Sequence, residues 1–251
     1  MNVLLLLAHH DDEYFIALRL REEIGLGNHV FVAYLTHGSI YRADPATRMR
    51  DSCRSLMGMG VRREDILMLG AEADIFDLKL CERMADAYGR LCTFMDSTRI
   101  GRLYVMAWEG GHPDHDAGHL IGAALARRYH LQQELYEFPA YSNFHVMRLT
   151  DDGRPVSSTA TDRRQGLKTL CMGFGYAGQR RTFLVMLPGS LLQLVLIGHQ
   201  DYRLVPVDRD YRQPPHAGKL FYERRYGLPF ERFIEHANSF KEFSGAATDN
   251  A

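Results

Sequence analysis

The sequence predicts an α/β fold built on a doubly wound, mostly parallel sheet. Short apolar runs of strand length alternate with helical patterns of ten or more residues over the first 139 residues. The apolar runs are continuous rather than alternating, which is typical of strands buried on both faces of a parallel sheet. With 251 residues, of which 46% are hydrophobic and 24% are charged, the composition fits an ordinary globular protein with one large core.

The alternation can be followed element by element. Predicted strands cover residues 3–7, 30–35, 66–69, 103–107 and 135–138. Predicted helices cover residues 15–24, 48–59, 78–95 and 117–129, and Gly25 and Gly60 end the first two of them. Residues 36–47 are polar and contain Gly38 and Pro45, which indicates a loop.

The regular pattern weakens in the last third of the chain. A turn is predicted at residues 151–155, a helix at 162–172, an apolar segment at 191–197 and a loop at 212–218. We therefore expect residues 1–139 to form the core and residues 140–251 to form a C-terminal cap or subdomain that completes the substrate pocket. Both parts would belong to a single structural domain.

Charge and cysteine content limit the class of partner. The 30 basic and 31 acidic residues are interspersed and give a net charge of -1, so we expect neither nucleic acid nor a membrane as partner, but a small molecule. The opening apolar run lacks a basic flank and is too short for a signal peptide. The four cysteines have no Cys-x-x-Cys spacing, which favours free thiols and a cytoplasmic location. Formation of a homo-oligomer is left open by the sequence.

Two clusters of histidine and aspartate follow the first and fourth predicted strands. Residues 8–13 read Ala-His-His-Asp-Asp-Glu, and residues 111–115 read Gly-His-Pro-Asp-His. Because the carboxyl ends of parallel strands meet at one edge of a sheet, we expect the clusters to lie close together. His9, Asp12 and His115 then offer two imidazoles and one carboxylate, which suits a catalytic Zn²⁺ with an open position and also suits Fe²⁺.

The neighbours of these ligands suggest acid–base chemistry. Asp11 is free to act as general base if Asp12 faces the metal, and His112 can stabilise an oxyanion or donate a proton. Asp114 is the natural partner to orient an imidazole. Each cluster alone also fits a simpler role, an acidic first turn of a helix or a capped turn before one. Both clusters together, each at a strand end, favour a metal site.

These motifs resemble the signature of the PIG-L, or LmbE-like, zinc-dependent N-deacetylases. That signature is Ala-His-Pro-Asp-Asp-Glu after the first strand of a Rossmann-like sheet and His-Pro-Asp-His after a later strand. Residues 112–115 match in full, and residues 8–13 match except that His10 replaces the proline. The resemblance implies that His9, Asp12 and His115 bind zinc, that Asp11 is the general base, and that His112 is the oxyanion stabiliser or general acid. An extra ligand or proton carrier is one role open to His10, but we expect its side chain to point away from the metal.

Weaker similarities to the same family extend along the chain. We expect Arg48 to be the counterpart of the family's substrate-contacting arginine, and Arg50 competes for that role. A simpler interpretation is that either arginine lies on a solvated face of its helix. Lys168 followed by residues 176–179 resembles the family's Lys then Tyr-x-Ser-Gln pattern, with a glycine in place of the serine. Residues 214–218 resemble the closing segment of a subgroup linked to glycoconjugates. In that segment His216 either lines the substrate pocket or is a structural loop histidine.

The resemblance and the chemistry of the clusters predict a zinc-dependent hydrolase that removes an N-acetyl or related N-acyl group from an amino sugar or glycoconjugate. Fe²⁺ or another divalent ion stays open as the metal. One alternative is a metal-dependent amidase that cleaves another amide of an amino-sugar conjugate, and another is a non-catalytic glycan- or nucleotide-binding relative. Against nucleotide binding, no Gly-x-Gly-x-x-Gly follows the first strand.

Overall fold

Seven strands form one sheet in the computed structural model of this chain, which describes residues 1–38, 44–140, 149 and 154–244. The strands of the described part are β1 (Asn2–Leu7), β2 (His29–Tyr34), β3 (Ile66–Leu67), β4 (Arg102–Met106), β5 (Leu135–Phe138), β6 (Ser157–Ala160) and β7 (His199–Leu204). Their spatial order is β3-β2-β1-β4-β5-β7-β6. The first five strands in that order are parallel, and β7 runs antiparallel to both β5 and β6. The prediction of an α/β fold with a mostly parallel sheet is confirmed.

Helices follow most of the strands and cover both faces of the sheet. Those in the described residues are α1 (Ala17–Gly25), α2 (Pro45–Met59), α3 (Leu69–Glu72), α4 (Met84–Ser97), α5 (Pro113–Arg128), α6 (Arg163–Gly173), α7 (Arg180–Leu191), α8 (Phe221–Tyr226), α9 (Phe230–Ser239) and α10 (Lys241–Ser244). A 3₁₀ turn at Asp12–Ile16 precedes α1, and a π-helical segment, Leu192–Ile197, continues α7.

The core is divided into two layers by the sheet. Leu4 and Leu6 of β1 share one apolar cluster with residues of α4, α5 and α9. Leu5 and Leu7 point to the opposite face and share the other cluster with residues of α1, α2 and α7. Because both faces of β1 are buried, its sequence is a continuous apolar run, as the doubly wound prediction requires.

The helix predicted at 78–95 begins later than expected. Leu78 adopts a left-handed backbone conformation with φ 68°, and its N–H donates to Asp114 Oδ2 at 2.6 Å instead of joining a helix. Helix α4 therefore starts only at Met84. Conversely, α2 begins inside the predicted loop, because Asp44 caps it by accepting a hydrogen bond from the Thr47 N–H at 3.0 Å.

The apolar run at residues 66–69 contains more than a strand. Only Ile66 and Leu67 pair with β2, and Leu69 already begins the short helix α3. An apolar run of four residues does not distinguish a strand from a buried helical turn, so the sequence pattern fits both.

The last third of the chain adds β6 and β7, which the apolar pattern did not predict. The buried side chains of β7 are polar, namely Gln200, Asp201 and Arg203. They are satisfied by partners such as Glu137 of β5, whose Oε1 accepts from Arg203 Nε at 2.7 Å. Since β7 extends the same sheet, the division of the chain into core and cap near residue 139 stays a prediction.

Candidate metal centre and active site

The two histidine and aspartate clusters lie side by side at the carboxyl edge of the sheet. Strands β1 and β4 are adjacent and parallel, with Leu6 opposite Val105. Strand β1 ends at Leu7, directly before the first cluster, and β4 ends at Met106, shortly before the second cluster. The topology therefore places the loop after β1 and the start of α5 together, as expected for a site in an open α/β sheet.

Three donor atoms from these loops converge at one point. His9 Nδ1 lies 3.2 Å from His115 Nε2, and His115 Nε2 lies 3.2 Å from Asp12 Oδ1. Two ligands bound at about 2.0–2.1 Å to a tetrahedral zinc ion lie about 3.3 Å apart, so these separations fit a shared metal ion. All three side chains are buried. The set of His9, Asp12 and His115 can hold a divalent cation, with a coordination position left for water or substrate.

The other ring nitrogen of His9 is fixed by Asp114. His9 Nε2 and Asp114 Oδ2 are 3.0 Å apart, and the same carboxylate accepts the backbone N–H groups of Leu78 and Leu80 at 2.6 and 3.1 Å. This is the carboxylate–histidine pairing that orients a metal-binding imidazole. His9, His112 and Asp114 also lie close enough to hold a cation. Because Asp114 already accepts two backbone hydrogen bonds, we take the Nδ1 side of His9 as the ligand side.

The negative charge of this site makes a cation favourable. Burial alone would lower the pKa of His9, but the hydrogen bond that its ring donates to Asp114 and the charges of Asp12 and Asp77 raise it to about 9. Burial raises the pKa of Asp12, yet the neighbouring His115 outweighs this effect and holds the pKa at about 2. The buried carboxylates of Asp12, Asp77 and Asp114 thus stabilise a positive charge nearby, which a proton or a metal ion can supply.

Asp11 borders the ligand set in a strained turn. Its backbone is left-handed, with φ 116°, and its N–H donates to Glu13 Oε2 at 3.1 Å. Burial raises the pKa of Asp11 well above its usual range, whereas Arg48, 3.5 Å from Oδ1, lowers that pKa. A carboxyl group held between these opposing influences is suited to accept and release a proton.

Glu13 is a functional position that sequence reasoning did not assign. It is fully buried and accepts hydrogen bonds from the hydroxyls of Tyr34 and Tyr176, each at 2.8 Å, besides the N–H of Asp11. It therefore links the left-handed turn at Asp11 to Tyr34 of β2 and to Tyr176 in the connection between α6 and α7. The glutamate at the end of the first motif was the available signal.

His112 caps α5 beside the ligand set. Its ring centroid is 4.4 Å from that of His9, and its Nδ1 accepts the N–H of Asp114 at 3.2 Å. When the ring is neutral, the proton is therefore on Nε2. Burial and the nearby His9 and His115 lower the pKa of His112 well below its usual range, so the ring is a neutral N–H donor.

His10 replaces the proline of the family motif and faces a different direction from His9. Its ring packs against Tyr34, with centroids 4.4 Å apart, and against Gly38, where an added Cβ would lie 2.6 Å from His10 Cδ2. Burial and the charge of Arg48 lower its pKa to about 3. His10 thus fills apolar space as a neutral ring, and its side chain does not join the metal-binding sets formed by the described residues.

Arg48 is buried and organises the loops around the site. Its guanidinium donates to Asp77 Oδ2 at 2.9 Å and to the carbonyls of Gly38 and His10, each at 3.1 Å. Asp77 also accepts the Gly38 N–H at 2.8 Å, a link that no sequence motif indicated. Arg50, by contrast, is exposed and bonds Thr47 within α2. A direct contact of Arg48 with substrate stays a prediction.

His216 is exposed on the loop before α8. Its Nδ1 lies 2.9 Å from the carbonyl of Ala217, and no described contact joins it to the ligand set. The same loop approaches the metal-site loop, because Pro215 Cγ lies 3.1 Å from where a Cβ on Gly110 would stand. The role of His216 at the pocket therefore also stays a prediction.

Comparison with known proteins gives similarity in structure rather than in sequence. No family model and no curated protein matches the sequence. Among the similar solved structures are the A40926 pseudoaglycone deacetylase Dbv21 (15% identity over 81% of this chain and 98% of that one, TM-score 0.61) and N,N'-diacetylchitobiose deacetylase from Pyrococcus horikoshii (13%, 82% and 84%, TM-score 0.59). Another is the zinc-inhibited form of teicoplanin deacetylase Orf2 (13%, 83% and 100%, TM-score 0.55). The chain therefore has the α/β fold of these deacetylases, and its resemblance to the PIG-L (LmbE-like) family is confirmed at the level of the fold.

Proposed function

We propose that this chain is a metal-dependent hydrolase that removes an N-acetyl or related N-acyl group from an amino sugar or glycoconjugate. The observation that carries the proposal is the convergence of three buried donor atoms, His9 Nδ1, His115 Nε2 and Asp12 Oδ1. The similar structures are deacetylases of sugar-bearing molecules, which supports an N-acylated sugar as substrate.

His9, Asp12 and His115 would hold the metal, for which we propose Zn²⁺, with Fe²⁺ or another divalent ion as alternatives. A divalent ion there supplies a Lewis acid for the amide carbonyl and lowers the pKa of water. One similar structure is a zinc-inhibited form, so the activating metal has to be found by assaying several ions.

Asp11 is the proposed general base. Its carboxyl group borders the ligand set, and burial raises its pKa well above the usual range, which makes the carboxylate a stronger proton acceptor. Arg48, at 3.5 Å, opposes part of that rise and so supports the ionised form that takes the proton of the attacking water. Asp77 holds Arg48 in place through the 2.9 Å ion pair, so the base is positioned by a chain of buried charges rather than by solvent.

His112 is the proposed stabiliser of the oxyanion. The N–H of Asp114 occupies its Nδ1, so the neutral ring donates from Nε2. A neutral donor stabilises developing negative charge without first having to lose or gain a proton. The lowered pKa of His112 favours this role over that of a general acid. Asp114 acts through His9 as a positioning residue.

The assay that tests the proposal uses purified protein loaded in turn with Zn²⁺, Fe²⁺, Co²⁺ or Mn²⁺. Acetate and free amine are measured with N-acetylglucosamine derivatives and with larger N-acetylated glycoconjugates as substrates. We expect stoichiometric release of both products, abolished by a chelator and restored by the metal. Cleavage of a different amide would support the amidase alternative, whereas a metal-loaded protein that hydrolyses none of these amides would contradict the proposal.

A further inference from the structure

Helices α6 and α7, with the π-helical segment that follows α7, form a helical hairpin at residues 163–197. The two arms pack closely at glycines. A Cβ on Gly173 would lie 2.6 Å from the ring of Phe183, and a Cβ on Gly166 would overlap the Leu194 carbonyl. Phe183 and Leu194 belong to the core, so the inner face of this α6–α7 hairpin is fixed to the protein.

The outer face of the hairpin is apolar and exposed. Leu184, Val185 and Leu196 are 56%, 83% and 66% exposed. The remaining exposed large apolar side chains of the hairpin are Leu167, Phe174, Leu191, Leu192 and Ile197. Positions 181, 184, 185, 188, 191 and 192 follow helical spacing and form one stripe along α7. A contiguous apolar surface of this kind marks an interaction site.

The charges of the hairpin are mostly positive. Residues 162–198 contain five basic residues and one acidic residue, a net charge of +4, whereas the whole chain has a net charge of -1. Arg181 stands at the start of the stripe on α7. On α6, Arg163 and Arg164 are one helical turn from the exposed Leu167. This combination of exposed apolar and basic residues is complementary to an anionic lipid surface.

The hairpin is held against the protein and is not free to cross a membrane. Within the described residues, the segment Ala177–Ile197 is long and apolar enough to span a membrane. However, Phe183, Ser190 and Leu194 are buried against the protein, and β7 begins directly after Gly198. Withdrawing the helix into a bilayer would expose this core and break the sheet.

We infer that the α6–α7 hairpin binds the surface of an anionic phospholipid bilayer. The apolar stripe enters the headgroup region, and the arginines and Lys168 contact lipid phosphates. This differs from the expectation, drawn from net charge, that the chain has no membrane partner, because the net charge of the whole chain hides a local excess. The inference does not depend on the proposed deacetylase activity.

Sedimentation with sucrose-loaded vesicles tests the inference. We expect the full-length protein to pellet with vesicles of phosphatidylcholine and phosphatidylglycerol and to bind vesicles of phosphatidylcholine alone more weakly. The triple variant Leu184→Gln, Val185→Gln, Leu196→Gln should lose at least about tenfold in partition coefficient. The variants Arg180→Gln and Arg181→Gln should each lose roughly fivefold on anionic vesicles.

A matched control carries the same change at exposed apolar positions elsewhere, Leu26→Gln, Met57→Gln and Val207→Gln, and should bind like the unmodified protein. All substituted positions are exposed, and equal melting temperatures would show that folding is intact. Absence of the unmodified protein from the anionic pellet would overturn the inference, as would equal binding of the two triple variants. The inference would also be overturned if the unmodified protein is a dimer that does not bind vesicles and the triple variant at residues 184, 185 and 196 is a monomer. That result would assign the face to a second copy of the chain.

Discussion

Two buried clusters of imidazole and carboxylate groups lie one turn apart on α5, and they differ in how their charge is balanced. In the first, His115 faces His9 and Asp12, and the ring nitrogens of the two histidines point at each other across 3.2 Å. In the second, His119 lies between the carbonyl of Met106 at 2.8 Å and the hydroxyl of Tyr211 at 3.0 Å.

Arginines neutralise the second cluster. Glu137 accepts hydrogen bonds from Arg203 and Arg209, each at 2.7 Å, which outweigh its burial and hold its pKa at about 2. Burial and Arg209 lower the pKa of His119 to about 4, although Glu137 opposes them. Both ring nitrogens of His119 therefore have protein partners, and the ring stays neutral.

The contrast teaches that residue types alone do not identify a metal site. Both clusters contain histidine and carboxylate groups at the same sheet edge, but arginines supply the positive charge to Glu137. At the ligand set, Arg48 pairs with Asp77 and lies near Asp11, yet Asp114, Asp12 and Asp77 still raise the pKa of His9 to about 9. The carboxylates there therefore favour a protonated ring or a metal ion. The following predictions separate the two clusters.

Replacement of the proposed base should have the largest effect on the rate. Asp11→Asn removes the carboxylate that accepts the proton but keeps the size of the side chain. We expect kcat to fall by about 10²–10⁴-fold with one metal ion still bound per chain, measured by acetate release and metal analysis. Full activity in this variant would remove Asp11 from the mechanism.

Loss of the positioning carboxylate should weaken metal binding to a smaller extent. Asp114→Asn replaces the acceptor that fixes His9 Nε2, while the amide oxygen can still accept the N–H groups of Leu78 and Leu80. We expect metal affinity to fall about 10–100-fold, measured by competition with a fluorescent chelator. An unchanged affinity would mean that Asp114 serves only the loop before α4.

The second cluster should affect acid stability rather than metal binding. The pKa of His119 is about 4 in the folded protein and about 6.5 in an unfolded chain. Between pH 4 and pH 6.5, His119 is therefore protonated only in the unfolded chain. The free energy of unfolding therefore decreases as pH falls from 6.5 towards 4, by up to about 3 kcal/mol. In His119→Gln this pH dependence should flatten in denaturant titrations. A slope equal to that of the unmodified protein would contradict the assignment of a neutral buried ring.

The elements with apolar patterns were predictable, whereas those stabilised by polar partners were not. Strands β1 and β4 and helix α5 were predicted within a few residues, because the apolar pattern of their own sequence indicates which residues are buried. Strand β7 buries Gln200 and Arg203, whose partners Leu18 and Glu137 are distant in the chain. Burial of polar groups depends on such partners, so no local pattern could indicate it.

The same reasoning applies to the site. The motifs contain the ligand set, and the strand order alone brings His9 and His115 together. Asp77 could not be found in this way, because its link to Arg48 joins residues 29 positions apart and Asp77 belongs to neither motif. Glu13 was visible in the first motif, but its three hydrogen bonds were needed to reveal its structural role.

Metal content per chain tests the central claim most directly. The protein is loaded with Zn²⁺, freed of excess ion by gel filtration and analysed by inductively coupled plasma mass spectrometry, beside the variants His115→Ala and His119→Gln. We predict one ion per chain in the unmodified protein and in His119→Gln, and none in His115→Ala. If the unmodified protein retains no Zn²⁺, Fe²⁺, Co²⁺ or Mn²⁺, or if His115→Ala retains as much metal as the unmodified protein, the assignment of the metal centre is wrong.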